Sequence, residues 1–120
     1  MKRILIVDDQ QEIRELVRMT LEIDGYEVHE ADNGDNGLQL ASRVAPDLVL
    51  LDLMMPGTLD GLGVCRRIRA DAARRRTKVV MLSGRSEPAD QKAGLEAGVD
   101  AYLSKPFSPR QLLQVVSQMV

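Results

Sequence analysis

The stretch PDLVLLDLMMP at residues 46–56 decides the fold class of this chain. Its continuous apolar run shows no polar alternation, which is typical of a strand that is covered on both faces of a parallel sheet. An acid, Asp52, follows the run directly. The stretch therefore predicts a central strand over Asp47–Leu51 with a carboxylate at its carboxyl end.

Four further apolar runs lie on either side of this strand. They predict strands at Arg3–Val7, Tyr26–Glu30, Lys78–Leu82 and Ala101–Leu103. Amphipathic helical patterns separate the runs, and the first of them repeats at i, i+3, i+4, i+7 and i+8 from Ile13 to Leu21. This alternation predicts one doubly wound parallel α/β domain, residues 1–120, with five strands and five helices.

Composition narrows the classes of partner and compartment. The chain has 120 residues, a formal charge of −2 and 28% charged side chains, which suits a single domain with its own core. The near balance of charge favours neither nucleic acid nor anionic lipid, so we expect neither as a partner. No apolar run approaches the roughly 20 residues that cross a bilayer. The single cysteine, Cys65, suits a reducing compartment, so the expected location is the cytoplasm.

Acidic residues follow two of the predicted strands. Asp8 and Asp9 come directly after the first strand, and Asp52 comes after the third. If these two strands are neighbours, their carboxyl ends form the point where doubly wound sheets bind ligands. Three converging carboxylates repel one another, and a hard divalent cation such as Mg²⁺ relieves that repulsion. The alternative is that Asp8 caps the first helix and Asp52 is an ordinary loop acid.

A hydroxyl and a cation follow the next two strands. Ser83 comes after the fourth strand and Lys105 after the fifth. Taken singly, Ser83 reads as a turn residue and Lys105 as a solvated surface cation. Together with the acids they form the set that phosphoryl transfer needs, because the charge on the transferring group spreads over three oxygens.

Four quoted segments resemble bacterial response-regulator receiver domains, from about Lys2 to the end of the chain. They are Val7-Asp8-Asp9, residues 46–57, Ser83-Gly84 and the segment GVDAYLSKPF at residues 98–107. The resemblance implies the flavodoxin-like strand order 2-1-3-4-5. It also implies a non-enzymatic signalling switch that catalyses only its own Mg²⁺-dependent phosphorylation and dephosphorylation.

The resemblance also implies a role for each acid. Asp52 is the expected phosphoacceptor, and the expected donor is a sensor histidine kinase or a histidine phosphotransfer protein. Asp9 and Asp52 are expected to ligate Mg²⁺, or Mn²⁺ in its place, directly. Met54 is expected to contribute its backbone carbonyl, and Asp8 to act through water.

The remaining roles concern the response to phosphorylation. Lys105 is expected to pair with a phosphoryl oxygen, and the Lys105-Pro106 bond to be cis. Ser83 is expected to bind another phosphoryl oxygen. Tyr102 is then expected to rotate and to report the change on the face formed by the fourth helix, the fifth strand and the fifth helix. A phosphorylation-dependent homodimer or a downstream effector is the expected reader.

One segment departs from the family pattern. The loop from Pro56 to Gly61 carries one residue more than the usual spacing between these two positions. It borders the phosphorylation site, so the lifetime of the phosphoryl group stays open. The resemblance places Met54 and Arg85 beside the path of the hydrolytic water, and we hypothesise that they tune dephosphorylation.

Other features receive plainer interpretations. His29 is expected to be an ordinary strand residue, and Cys65 a packed thiol on the apolar stripe of the third helix. A basic stretch is interpreted as a solvated surface, with docking of an acidic partner as the alternative; it comprises Arg66, Arg67, Arg69, Arg74, Arg75, Arg76 and Lys78. In the last helix Leu113 and Val120 form a second apolar edge, which indicates either a partner contact or a frayed terminus.

Two rival functions use parts of the same pattern. A haloacid-type phosphatase also forms an aspartyl-phosphate, but it places a second acid two residues after the nucleophile. Gln10 and Met54 stand at that distance from Asp8 and Asp52. A phosphorylation-independent scaffold is the second rival, and the complete set of acids, serine and lysine counts against it.

Overall fold

The computed structural model describes residues 1–84 and 88–120, and at residues 88–90 the backbone alone. Five strands alternate with five helices in this part of the chain. The strands are β1 (Arg3–Val7), β2 (Glu27–Ala31), β3 (Leu48–Asp52), β4 (Lys78–Ser83) and β5 (Ala101–Ser104). The helices are α1 (Gln11–Ile23), α2 (Gly34–Val44), α3 (Gly61–Ala70), α4 (Pro88–Ala97) and α5 (Pro109–Met119). A short 3₁₀ turn, Ala72–Arg74, lies between α3 and β4.

The strands form one parallel sheet in the order β2-β1-β3-β4-β5. This confirms the predicted flavodoxin-like, doubly wound fold. β1 pairs with β3 in a register that ends at Val7 opposite Leu51. The chain order reverses between these two strands, so residues that follow them share one edge of the sheet.

Two predicted strands begin one residue too early. Tyr26 precedes β2, and Asp47 precedes β3, where its carboxylate accepts a hydrogen bond from the backbone N–H of Arg3 at 2.8 Å. At the other end β3 includes Asp52, which pairs with Leu82 of β4. Asp52 is therefore the last residue of a strand and shares the rigidity of the sheet, whereas the sequence predicted a residue just beyond it.

The core consists of two apolar clusters, one on each face of the sheet. The α1–α5 cluster lies under α1 and α5, and the α2–α4 cluster lies under α2, α3 and α4. In β3, Leu48 and Leu50 belong to the first cluster and Val49 and Leu51 to the second, and all of β3 is buried. This confirms the prediction from its unbroken apolar run. Burial on both faces makes β3 a stable support for the residue at its end.

Two features assigned from sequence alone have defined positions. Cys65 is buried in α3, donates to the backbone carbonyl of Ala97 at 3.2 Å, and burial raises the pKa of its thiol. It is a packed thiol, as predicted. The edge residues Leu113 in α5 and Val120, its C-cap, are half-buried against the α1–α5 cluster, so this second apolar edge packs on the core. No helix among the described residues combines the length and the apolar character needed to span a membrane.

Candidate functional site: an acidic pocket at the carboxyl edge of the sheet

Three carboxylates meet where β1 and β3 end. Asp8 and Asp9 follow β1, Asp52 ends β3, and one oxygen from each lies within 4.8 Å of the others. Asp8 has no solvent exposure and Asp52 only 5%, whereas Asp9 is exposed. The structure thus brings together the three acids that sequence spacing placed at this edge, two of them shielded from water and the third facing it.

Asp8 is held from three directions. Its backbone N–H donates to the carbonyl of Ala31 at 3.1 Å, and its own carbonyl accepts from the Arg14 guanidinium at 2.7 Å. Its carboxylate accepts from the backbone N–H of Gln10 at 2.9 Å. Because Gln10 is itself the N-cap residue of α1, and no side-chain cap is present there, the alternative that Asp8 caps this helix is wrong.

Asp52 is positioned by its neighbours on β3 and α3. Its carboxylate accepts from the backbone N–H of Met54 at 3.3 Å, and the next N–H, of Leu53, donates to Leu82 on β4 at 2.9 Å. α3 begins against this turn at Gly61, where a Cβ atom would overlap the backbone carbonyl oxygen of Asp52 and lie 2.9 Å from the Leu53 Cα. Glycine is required at position 61 because α3 approaches the strand end so closely.

Lys105 supplies the cation of the pocket. Its Nζ lies 2.8 Å from Asp8 Oδ2, 3.3 Å from Gln10 Oε1 and 3.5 Å from Asp52 Oδ1. Its backbone N–H donates to the carbonyl of Ser83 at 2.8 Å, and the Lys105-Pro106 peptide is cis, as expected. The ammonium therefore stands between two of the carboxylates and pairs more closely with Asp8.

The balance of charge in the pocket is incomplete. The pKa of Asp52 is raised from its ordinary value of 3.8 to about 6, first by burial and second by the nearby charge of Asp8. Lys105 and the Met54 N–H act in the opposite direction, but they do not compensate. A group of oxygen donors with uncompensated negative charge fits a hard divalent cation such as Mg²⁺.

Three other predicted site residues have described positions. Ser83 is buried at the end of β4, next to Ser104 in the ladder. Tyr102 lies on β5, half-buried, with its hydroxyl donating to the backbone carbonyl of Gln91 in α4 at 3.3 Å. The Met54 side chain is 60% exposed beside the pocket. Arg85 lies outside the described residues.

The longer loop after Pro56 is fastened to α2. The Thr58 hydroxyl donates to the Asp35 carboxylate at 3.0 Å, and Leu59 packs partly against the α2–α4 cluster. Asp60 then caps α3 by accepting from the backbone N–H of Gly63 at 2.9 Å. A side-chain hydrogen bond thus ties the longer loop to the first turn of α2.

Sequence reasoning missed two residues that shape the pocket. Gln10 contacts both Asp8 and Lys105, and Arg14 links the carbonyl of Asp8 to Glu30 on β2 at 3.2 Å. Gln10 could have been noticed because it follows the acidic pair directly. Arg14 carries no such signal, since its partners lie on other elements.

A doubly wound α/β sheet with an acidic, cation-fitting pocket at its switch point defines the class of this protein. Residues 4–117 match the family model of the response regulator receiver domain. The chain therefore belongs to the receiver-domain family of two-component response regulators. In fold it resembles chemotaxis-type receivers.

Known relatives extend this assignment. The chain is 47% identical over 118 residues to the transcriptional regulatory protein ResD of Bacillus subtilis, covering 98% of this chain and 48% of ResD. It is 41% identical over 120 residues to RpaA of Synechocystis, a DNA-binding dual master transcriptional regulator, covering 100% of this chain and 49% of RpaA. The chain thus spans about half the length of these relatives.

A solved structure shows the same fold over its full length. The chemotaxis protein CheY4 of Vibrio cholerae superimposes with a TM-score of 0.96 at 31% sequence identity, covering 100% of this chain and 99% of CheY4. The strand order and the number of helices agree with those expected from the resemblance.

Proposed function

We propose that Asp52 accepts a phosphoryl group from a phosphohistidine of a sensor histidine kinase or a histidine phosphotransfer protein. An Asp52 carboxylate oxygen attacks the phosphorus atom and forms the new O–P bond. The N–P bond of the phosphohistidine breaks, and its electron pair remains on the imidazole nitrogen. What carries the proposal is the convergence of Asp8, Asp9 and Asp52 within 4.8 Å beside the Lys105 ammonium.

The same residues would hold the cation. Asp9 and Asp52 are the proposed direct ligands of Mg²⁺, or of Mn²⁺, with the Met54 backbone carbonyl as a third donor and Asp8 acting through water. When bound, the cation supplies positive charge that neutralises the oxygens of the transferring group. Lys105 neutralises a further phosphoryl oxygen, for which it would leave its present contact with Asp8.

The proposed response starts at Ser83. Its hydroxyl would donate to a phosphoryl oxygen, and Tyr102 would change its position against α4. The surface formed by α4, β5 and α5 would then bind a homodimer partner or a downstream effector with changed affinity. Relatives of twice the length are transcriptional regulators by name, but the charge of −2 does not favour DNA binding by this domain itself.

We place this regulator in the cytoplasm, in line with its single free cysteine. It catalyses only its own phosphorylation and dephosphorylation, because the nucleophile is a residue of the chain and the product is the chain itself. The domain is proposed to comprise residues 1–120.

The test is phosphoryl uptake measured as intact mass. The protein is incubated with acetyl phosphate and Mg²⁺, and wild type is compared with Asp52→Asn and with Asp24→Asn, an exposed aspartate at the end of α1. Wild type and Asp24→Asn are expected to gain one phosphate, and Asp52→Asn none. Absence of an adduct on wild type, or an adduct that persists in Asp52→Asn, would overturn the assignment.

A further inference from the structure

We propose that Gly94 is the positioning residue for Tyr102: by lacking a side chain it leaves a notch in α4 that receives the tyrosine ring. The inference rests on the proposed function, in which Tyr102 reports the phosphorylation of Asp52. It adds a residue to the switch that neither the acidic pocket nor the sequence pattern indicates.

The helix α4 and the strand β5 approach each other closely at this point. Tyr102 pairs with Met81 in the sheet and extends its ring towards α4, where its hydroxyl donates to the Gln91 carbonyl at 3.3 Å. One turn further along, Gly94 is buried. A Cβ atom on Gly94 would overlap the tyrosine hydroxyl oxygen and lie 2.6 Å from Cζ and 3.2 Å from Cε2. No residue with a side chain is compatible with the ring in this position.

The backbone of Gly94 gives no other reason for glycine. Gly25 and Gly98 have positive φ angles of 89° and 98°, which favour glycine whatever surrounds them. The φ angle of Gly94 is not positive. Gly94 also lies inside a helix, where only proline is less favourable than glycine. Alanine would stabilise the helix more. The physical reason for glycine at position 94 is therefore the space that it leaves for the Tyr102 ring.

The notch has a consequence for the switch. A ring in the notch and a side chain at position 94 exclude each other, so the residue at 94 determines how far the notch position of Tyr102 is populated. In the unphosphorylated protein the ring occupies the notch, and in the proposed switch it leaves the notch on phosphorylation. In Gly94→Ala the first is removed, and Tyr102 is displaced before any phosphorylation.

The first test asks whether Gly94→Ala raises or lowers the midpoint of thermal unfolding, with and without the Tyr102 side chain. In the Tyr102→Ala background, Gly94→Ala is expected to raise the midpoint of thermal unfolding by a few degrees, because helix propensity alone remains. In wild type the same substitution is expected to lower the midpoint or leave it unchanged. An equal increase in both backgrounds would overturn the proposal, because the two residues would then not interact.

The second test observes the tyrosine itself. Protein carrying Tyr26→Phe and labelled with 3-fluorotyrosine reports only Tyr102, since the chain has two tyrosines. The fluorine resonance of the parent is expected to move on addition of acetyl phosphate and Mg²⁺. In Gly94→Ala it is expected to start displaced and to move by less than half as much. Glu96→Ala, an exposed change in the same helix, is expected to match the parent. A Gly94→Ala spectrum identical to the parent would refute the notch.

Intact mass distinguishes a failure of the proposed function from a failure of the notch. Gly94→Ala is expected to take up phosphate as wild type does, because position 94 does not contact the acidic pocket. If wild type takes up none, the proposed function fails, while the sign of the stability change still decides whether the notch exists. If uptake is normal, the notch alone is refuted when Gly94→Ala raises the midpoint equally in both backgrounds or when its fluorine spectrum matches that of the parent.

Discussion

The two edges of the sheet treat charge in opposite ways. At the amino edge, Asp100 accepts from the Arg69 guanidinium at 2.6 Å and from the backbone N–H of Val79 at 2.8 Å. Arg69 also donates to the backbone carbonyls of Gly98, Arg75 and Thr77. At the carboxyl edge three acids lie together, and Lys105 is within ion-pair distance of two of them, Asp8 and Asp52. The pKa of Asp52 rises to about 6.

The difference separates residues that stabilise the fold from residues that prepare for a ligand. An acid costs little free energy when hydrogen bonds and an opposite charge accompany it, as at the exposed Asp100. A buried acid is costly when another acid lies beside it, as at Asp52. The amino edge satisfies its charges internally. The carboxyl edge leaves part of its negative charge uncompensated, which fits a cation and lowers the stability of the free protein.

The largest effect on stability is expected at the amino edge. Arg69→Ala removes the charge partner of Asp100 and leaves several carbonyls without their donor, so we expect a loss of about 3 kcal/mol in the free energy of unfolding. Urea denaturation measures it. Arg67→Ala, an exposed neighbour in the last turn of α3, serves as the control and should change little.

The same variant tests whether the edges are independent. Arg69→Ala that remains folded should take up phosphate as wild type does, because its contacts lie at the opposite end of the strands. Loss of uptake in protein that is still folded would show that the edges are coupled, and would break the comparison.

Asp52→Asn is expected to act in the opposite direction. Without Mg²⁺ it should stabilise the protein at pH 7 by about 2 kcal/mol, because a buried acid with a raised pKa costs free energy when ionised. In wild type the native state holds a proton that the unfolded chain has lost between pH 3.8 and about 6. The contribution of Asp52 to stability is therefore full below pH 4 and is lost as the pH rises to 6.

Thermal unfolding in chelator, measured from pH 4 to pH 8, checks this. The difference between Asp52→Asn and wild type should grow from pH 4 to 6 and then level off. A difference that is constant with pH would mean that the carboxyl edge is not under electrostatic stress, and the contrast between the edges would disappear.

The carboxyl edge was more predictable from sequence than the amino edge. Strand ends place residues by chain order alone, so the acids, Ser83 and Lys105 were found without knowledge of contacts. Arg69 could not be identified in this way, since its partner Asp100 is 31 residues distant and the basic stretch around it resembles a solvated face.

Part of that solvated-face interpretation is wrong. Arg69 makes the contacts described above, and Arg74 donates to the backbone carbonyls of Ala41 and Ser42 at 2.9 and 2.8 Å, closing the end of α2. Side-chain contacts across elements depend on packing, which one-dimensional periodicity does not contain. For the same reason the notch at Gly94 had no sequence signal.

Lys105→Ala sharpens the comparison at the carboxyl edge by separating two requirements. Removing the ammonium removes a charge that repels Mg²⁺, so at pH 8 the affinity for Mg²⁺ should rise by about threefold to tenfold. Phosphoryl uptake should fall, because one phosphoryl oxygen loses its counter-charge. Calorimetric titration with Mg²⁺ measures the first and intact mass the second, with the exposed Lys2→Ala as the control. A weaker affinity for Mg²⁺ would contradict the charge balance derived for this pocket.

The smallest effect is expected at the amino edge again, in an exposed group. Glu27 lies 2.7 Å from His29 and 3.3 Å from Arg3, and these contacts, the hydrogen bond from His29 first, lower its pKa. Because its pKa is lowered, Glu27 stabilises the protein at pH values above its ordinary pKa, and this stabilisation is lost as the pH falls. Because all three side chains face water, Glu27→Gln should shift the unfolding midpoint by less than about one degree, and 0.5 M salt should abolish the shift. If Glu27→Gln destabilised the protein as much as Arg69→Ala, the number of ion pairs, rather than their burial, would determine the stability of this edge.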